Sequence, residues 1–300
     1  MMRLAAIDIG TNSVRLLVAE ISETGINPIK RVLTTTRLGA GLMQSGCLSK
    51  PGKEATVAAV MECTALARSL GAQKLRVAGT SAMREASDGQ SFARTLARQA
   101  GAYVDILLPD EEARLSYEGA ASSLRLPTEV LVFDLGGGSC ELIWPEDGNL
   151  CFASLKLGAV YLTEMFIRHD PPLAEELQCI RQHSAELLSS FTLRGIPVVG
   201  IGGTVTSLAA MEMKMTRYDA KQVHGRILTA QMVSAQLQRL LAVPLNERSQ
   251  IAGVQPARAD ILPAGALVVK EILSHFRAPS FTVSEGDILT GLICSLISLT

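Results

Sequence analysis

The sequence predicts an α/β protein made of two duplicated domains, on three observations. The chain has 300 residues, too many for one ordinary core and suited to two domains of about 150 each. Short apolar segments rich in β-branched and aliphatic residues alternate with amphipathic helical segments along it. Lastly, "AAIDIGTNSVRLLVAEI" and "LVFDLGGGSCELIW" share one plan: apolar strand, Asp, apolar residue, Gly, short polar turn, apolar strand. Each copy opens one half, which sets domains at 1–125 and 126–300, with a closing helix at about 286–300 that could return to the first domain. Two such halves imply a cleft in which both turns face a common ligand.

Strands are expected at 4–9 and 14–21, around the polar turn "GTNS", and at 27–36, before the Gly-rich loop "LGAGLMQSG". A helix starts near Ser49, with Pro51 in its first turn, and runs to about Leu70. "KLRVAGTSAMREA" reads as a strand entering a loop. Helices follow at 89–100 and 110–123, with a short strand near 103–107 between them. In the second half, strands at 129–135, 140–145 and 150–157 precede helices at 158–168 and 173–191. The 173–191 helix places Leu173, Leu177, Ile180, Leu187, Leu188 and Phe191 on one core-facing stripe. "IPVVGIGGTVTSLAAM" is a strand, a glycine turn and a helix. Helices dominate 229–277, and the strand "SFTVS" leads into a closing helix from Gly286.

Apolar residues make up 48% and charged residues 19%, which fits a soluble globular protein and excludes a disordered one. An aromatic content of 4% argues against nucleic acid held by stacked bases. The net charge of -1 excludes a globally basic surface, so a polyanionic ligand would need locally concentrated Arg and Lys. The cysteines Cys47, Cys63, Cys140, Cys151, Cys179 and Cys294 form no C-x-x-C pair and have no His at zinc-like spacing, so reduced thiols are expected. The N-terminal stretch lacks a signal-peptide core, and no apolar run approaches a membrane span; a cytoplasmic protein without membrane or nucleic-acid partners is expected.

Three consecutive glycines between Asp134 and Glu141 strip side chains from a whole turn. A two-residue hairpin needs fewer, so backbone N–H groups here can close on something bulky and negative, with the two carboxylates set to hold a metal beside it. An ordinary Gly-rich hairpin is the competing reading. "GIGGT" at a strand–helix junction is similarly double: an anion site at a helix N-terminus, or glycines that only permit close packing. Acids at 110, 111 and 112 open a helix, which dipole compensation and capping also explain. No G-x-x-x-x-G-K-[ST] loop, nucleophile elbow or complete dinucleotide fingerprint is present.

The motifs "AAIDIGTNS", "VAGTSAMREA", "DEEARLSYEGA", "VFDLGGGSCEL", "LKLGAVYLTE", "VGIGGTVTSLAAM", "VHGRILT", "RADILPAG" and "SEGDILTG" run in order through the chain. Together they resemble the exopolyphosphatase/guanosine pentaphosphate phosphohydrolase (Ppx/GppA) family, within the actin/Hsp70/sugar-kinase superfamily. The chain departs from the family pattern at Ala257, where a Glu is common before "RAD", and at Leu289 and Thr290, where Arg-Glu is common. Longer relatives carry a C-terminal helical extension beyond the point where this sequence stops.

The resemblance implies an actin-like two-domain fold with an inter-domain active-site cleft, Mg²⁺ as cofactor, and a homodimer. The implied activity is release of terminal phosphate from inorganic polyphosphate, or of the 5′-phosphate from guanosine pentaphosphate. It implies Glu112 as general base and Arg84 as a catalytic cation on the phosphoryl oxygens. Asp134 and Glu141 become the Mg²⁺ ligands, with Asp8 joining through water or serving only to stabilise its turn. Phosphate binding falls to Gly136, Gly137, Gly138 and Ser139, to Thr11, Asn12 and Ser13, and to Gly202, Gly203 and Thr204. Glu111 is expected to be structural, Cys140 to face away from the carboxylates, and His224 stands out among the histidines only for lying in "VHG". Two rival classes are a guanosine polyphosphate-binding regulator with little turnover and a kinase or chaperone-type ATPase.

Overall fold

The computed structural model of the chain describes residues 2–23 and 25–297. They form two compact units: the described residues of Met1–Ser122 with Gly286–Thr300, and Ser123–Glu285. The chain therefore passes from one unit to the other twice, at 122/123 and at 285/286.

The first unit is built on strands β1 (Met2–Ile9), β2 (Ser13–Ser22), β3 (Gly25–Thr35), β4 (Lys74–Gly79) and β5 (Val104–Ile106), in the order β3-β2-β1-β4-β5. β1 pairs antiparallel with β2 and parallel with β4. Strand alternation sorts its side chains: Ala5, Ile7 and Ile9 face a layer formed by the helices Lys50–Ser69 and Gly89–Ala100. Leu4 and Ala6 face Leu115 and the closing helix Ile288–Ile297. Leu289, one of the departures from the family pattern, is buried in that apolar layer, so a hydrophobic contact stands there.

The second unit repeats this plan with β6 (Leu131–Leu135), β7 (Cys140–Glu146), β8 (Asn149–Leu155), β9 (Val198–Ile201), β10 (Ile227–Thr229) and β11 (Ser280–Val283), ordered β10-β11-β9-β6-β7-β8. Read from β8, the first five strands match the order and directions of the first unit, and β10 is an added antiparallel edge. The two mixed sheets with their helices make the chain an α/β protein of duplicated design.

Most expected elements are present within one to three residues of their expected ends. The sequence reading missed short pieces: helices Leu42–Ser45, Ser81–Glu85 and Ala220–Val223, and the strand β10. Each is a single turn or a three-residue pairing, too short to show a period. The 173–191 stripe needs one correction. The helix runs Ala174–Leu188, and Leu173 is 45% exposed, because it is the residue before the helix, where its N–H is capped by Glu176. Leu177, Ile180 and Leu188 are buried as expected. No helix among the described residues is long and apolar enough to cross a membrane.

Candidate active site

The Asp-x-Gly turns of the two units have the same internal geometry. Gly10 N–H donates to Ser13 O at 2.9 Å, and Gly136 N–H to Ser139 O at 3.0 Å. The turn carbonyls face the segment that follows: Thr11 O accepts from Gly39 N–H, while Gly136 O and Gly137 O accept from Ala159, Val160 and Tyr161 at 2.9–3.0 Å. The expected phosphate cradle is corrected at one position, since the Gly136 N–H is used inside the turn. The N–H groups of Gly137, Gly138 and Ser139, like those of Thr11 and Asn12, make no backbone hydrogen bond among the described residues. They are the donors that the turns can present to an anion.

What differs is the residue opposite the Asp. Asp8 faces Arg15 across β1 and β2; Asp134 faces Glu141 across β6 and β7. Directly opposed residues of an antiparallel pair put their side chains on one face. In the first unit the pair is self-neutralised: Arg15 donates to Asp8 Oδ2 from Nη2 at 2.6 Å and from Nε at 2.9 Å, and its Nη1 also bonds Asp287 Oδ2. In the second unit two carboxylates share the position, and Ser154, opposite Glu141 on β8, donates to Glu141 Oε1 at 2.8 Å. Two like charges held in register favour a cation.

That donor set fits Mg²⁺, which takes one or two carboxylates and fills its other positions with water and phosphate oxygens. Among the described residues no group of three or more His, Cys, Asp or Glu side chains gathers as a richer metal site. Asp8 has its own cation in Arg15. Its Oδ1 is buried and makes no hydrogen bond among the described residues, so that atom is the one left for a water-mediated role. Burial pushes the Asp8 carboxyl above the ordinary range, against the pull of Arg15. Cys140 opposes Leu135 and packs in the apolar layer, on the face away from the acids. Burial, with Glu141 and Asp134 adding to it, pushes its thiol well above the usual value, which rules against a nucleophile.

The structure brings Arg84 and Glu112 together. Helix Pro109–Ser123 presents Glu112 from its first turn, buried at 8% exposure, and Arg84 Nη1 donates to Glu112 Oε2 at 2.7 Å and to Leu107 O at 2.9 Å. Arg84 Nε and Nη2 make no hydrogen bond among the described residues. Glu111, its neighbour, pairs instead with Arg76, which also holds Asp105 and Ser295. Glu111 thus ties sheet and helices together, as its structural reading implied.

The third turn follows β9. Gly202 sits at φ +105°, and a Cβ there would lie 2.4 Å from Leu135 O and 3.3 Å from Asp134 Oδ1, so only glycine brings this turn against the acid. Thr204, in the first turn of the helix Gly203–Glu212, is buried. Arg258, which the sequence reading left unassigned within "RAD", lies directly on Gly203: a Cβ on that glycine would fall 1.0 Å from Arg258 Nη1. Gly203→Ala should therefore expel the guanidinium from the helix terminus and lower kcat/KM by roughly tenfold or more, with the thermal melt still cooperative. Steady-state kinetics with a melting curve checks this.

Asp134, Glu141, Gly136–Ser139 and Gly202–Thr204 thus gather at one end of the second unit's sheet. Asp8 and the Thr11–Ser13 turn stand at the corresponding end of the first, whose Arg84–Glu112 pair is a separate contact.

Residues 17–299 match the Ppx/GppA phosphatase family. The chain is 33% identical to exopolyphosphatase 2 of Mycobacterium tuberculosis, over 98% of each chain. Among solved structures, a Ppx/GppA family member from Aquifex aeolicus is 31% identical with a TM-score of 0.85, covering 99% of this chain and 98% of that one. An exopolyphosphatase from Cytophaga hutchinsonii, 21% identical, shares the fold at a TM-score of 0.91 over 100% of this chain and 99% of that one. This chain belongs to the Ppx/GppA phosphatase family and is a phosphoric anhydride hydrolase.

Proposed function

We propose that this hydrolase releases the terminal phosphate of inorganic polyphosphate, with Mg²⁺ as its cofactor and Glu112 as its general base. The observation that carries the reading is the contrast between the two turns: the repeat keeps Asp and Gly but has Glu141 where the first turn has Arg15, so a second carboxylate faces Asp134 beside the turn's N–H groups. The name of the Mycobacterium tuberculosis relative points to polyphosphate as the first substrate to try.

In this reaction Glu112 accepts a proton from the attacking water, and Arg84 donates to its Oε2. Arg84 thereby positions the base, and its remaining N–H groups offset charge on the transferring phosphoryl group. The N–H groups of Gly137, Gly138 and Ser139 bind phosphate oxygens. Bound at Asp134 and Glu141, Mg²⁺ supplies charge neutralisation on those oxygens. Arg258 at Gly203 adds a cation beside the third turn. The reading carries with it a cytoplasmic homodimer, which sedimentation can test.

Phosphate release measured side by side from polyphosphate, guanosine pentaphosphate and ATP decides among the classes. Polyphosphate turnover supports the reading. Turnover of guanosine pentaphosphate alone reassigns the substrate. Tight guanosine polyphosphate binding without release supports a regulator, and ATP preference a kinase-type ATPase.

A further inference from the structure

The duplication reaches beyond the Asp-x-Gly turns. Leu38-Gly39-Ala40 follows β3 in the first unit, and Leu157-Gly158-Ala159 follows β8 in the second. Each leucine is fully buried, and each glycine is pressed against its own unit's turn. In the second unit this segment opens the helix Ala159–Phe166, whose first N–H groups have no acceptors within the helix. They donate to the turn instead: Ala159 to Gly136 O at 3.0 Å, Val160 and Tyr161 to Gly137 O at 2.9 and 3.0 Å. The helix N-terminus is thus occupied by the turn's carbonyls, not held open for an anion.

Those bonds decide where the turn's own donors point. In a trans peptide the C=O of one residue and the N–H of the next point in opposite directions. The peptides of this turn are trans. With the Gly136 and Gly137 carbonyls held on the helix, the Gly137 and Gly138 N–H groups face away from it. Successive N–H groups fixed in this way form an anion-binding concavity. The approach needs glycine at 158, because a Cβ there would lie 2.3 Å from Gly137 O and from Gly138 C. Both are backbone atoms, so no side chain can swing aside. The Gly158 φ of -63° and ψ of 145° suit any residue, and space alone demands glycine.

We propose that Gly158 is a positioning residue for the phosphate site: it admits the segment that aims the Gly137 and Gly138 N–H groups at phosphate oxygens. This rests on the reading of the Gly136–Ser139 turn as that site. The first unit carries a softer version of the device. Gly39 N–H donates to Thr11 O at 2.9 Å, so the Asn12 N–H faces away from the Leu38–Ala40 segment. Thr36 and Arg37 N–H secure the same turn through Asn12 O at 3.0 Å. A Cβ on Gly39 would lie 2.3 Å from Thr11 Cγ2, a side-chain methyl, so a change of rotamer relieves the contact.

The test uses Gly158→Ala and Gly39→Ala, with tripolyphosphate as substrate and probe and the assigned amide signals of glycine-labelled (15N) protein as second readout. Gly158→Ala should lower kcat/KM roughly tenfold or more and displace the Gly137 and Gly138 signals before any probe is added. Gly39→Ala should change kcat/KM by less than about threefold and leave those two signals in place. In wild type, tripolyphosphate should shift the Gly137 and Gly138 signals and spare Gly136, whose N–H is bonded inside the turn. A Gly158→Ala enzyme with wild-type kinetics and signals overturns the proposal. Should that variant fail to fold, the wild-type titration decides: binding that shifts Gly136 as much as its neighbours, or none of the three, rejects the aimed donors. If wild type neither binds nor hydrolyses tripolyphosphate, the functional reading fails first. The probe-free signals then judge the segment by itself: displacement of Gly137 and Gly138 in Gly158→Ala sustains its hold on the turn, and unmoved signals reject it.

Discussion

Asp134→Ala and Glu141→Ala are each expected to abolish Mg²⁺-stimulated phosphate release while leaving a cooperatively folded protein. The two side chains face each other across β6 and β7, and each contributes half of a two-carboxylate site. With one removed, the remaining acid keeps a single charge, too little to hold a strongly hydrated ion against water. The fold should tolerate the loss, because removing one of two like charges relieves repulsion. A second readout separates metal binding from chemistry: Mg²⁺ should raise the thermal midpoint of wild type by linkage and leave both variants unmoved. Asp8→Asn should retain the Mg²⁺ shift, since Asp8 already has Arg15 as its cation. Full activity of either alanine variant in Mg²⁺, or wild-type activity indifferent to EDTA, would exclude this pair.

Local features of the site were legible in the sequence. Asp8 and Asp134 announce themselves by a repeated strand–Asp-x-Gly–strand plan, and alternation alone turned Cys140 away from the acids, as the register shows. What stayed hidden depends on contacts between distant positions. Arg258 meets Gly203 from 55 residues away, and Arg15 reaches Asp287 across 272. No periodicity encodes such meetings. The only available signal was that "GGT" carries a glycine that no turn requires, which an unseen neighbour must explain. Arg15 could have been noticed, because aligning the two repeats puts it opposite Glu141. The loss of Gly136 as a donor was invisible for another reason: glycine content shows that a backbone can approach, not which N–H is used inside the turn. Leu173 shows that a helical stripe cannot tell a core residue from a cap one position outside the helix.

Glu112→Gln is expected to lower turnover by roughly two to four orders of magnitude, the usual contribution of a general base. Gln keeps the shape and can still accept Arg84's hydrogen bond at 2.7 Å through its amide oxygen, so the pair's geometry survives. It cannot take a proton from water. Ground-state affinity should hold or improve, because a negative charge facing a polyanion is removed. The competing account, in which Glu112 only compensates its helix N-terminus and Arg84, makes the opposite prediction: turnover near wild type and a slightly lower melting temperature. Glu111→Gln is the matched control. Glu111 sits one residue earlier on the same helix but pairs with Arg76, so its loss should cost stability and spare turnover. A further distinction comes from Arg84→Lys, which keeps the charge but not the planar guanidinium, whose Nη1 donates to both Leu107 O and Glu112. If Arg84 positions the base, that variant should lose kcat more than it raises KM. Measured together, a large kcat loss in Glu112→Gln with affinity retained, beside a normal Glu111→Gln, assigns the base; near-normal turnover in Glu112→Gln would sink the mechanism even if the enzyme proved an active exopolyphosphatase.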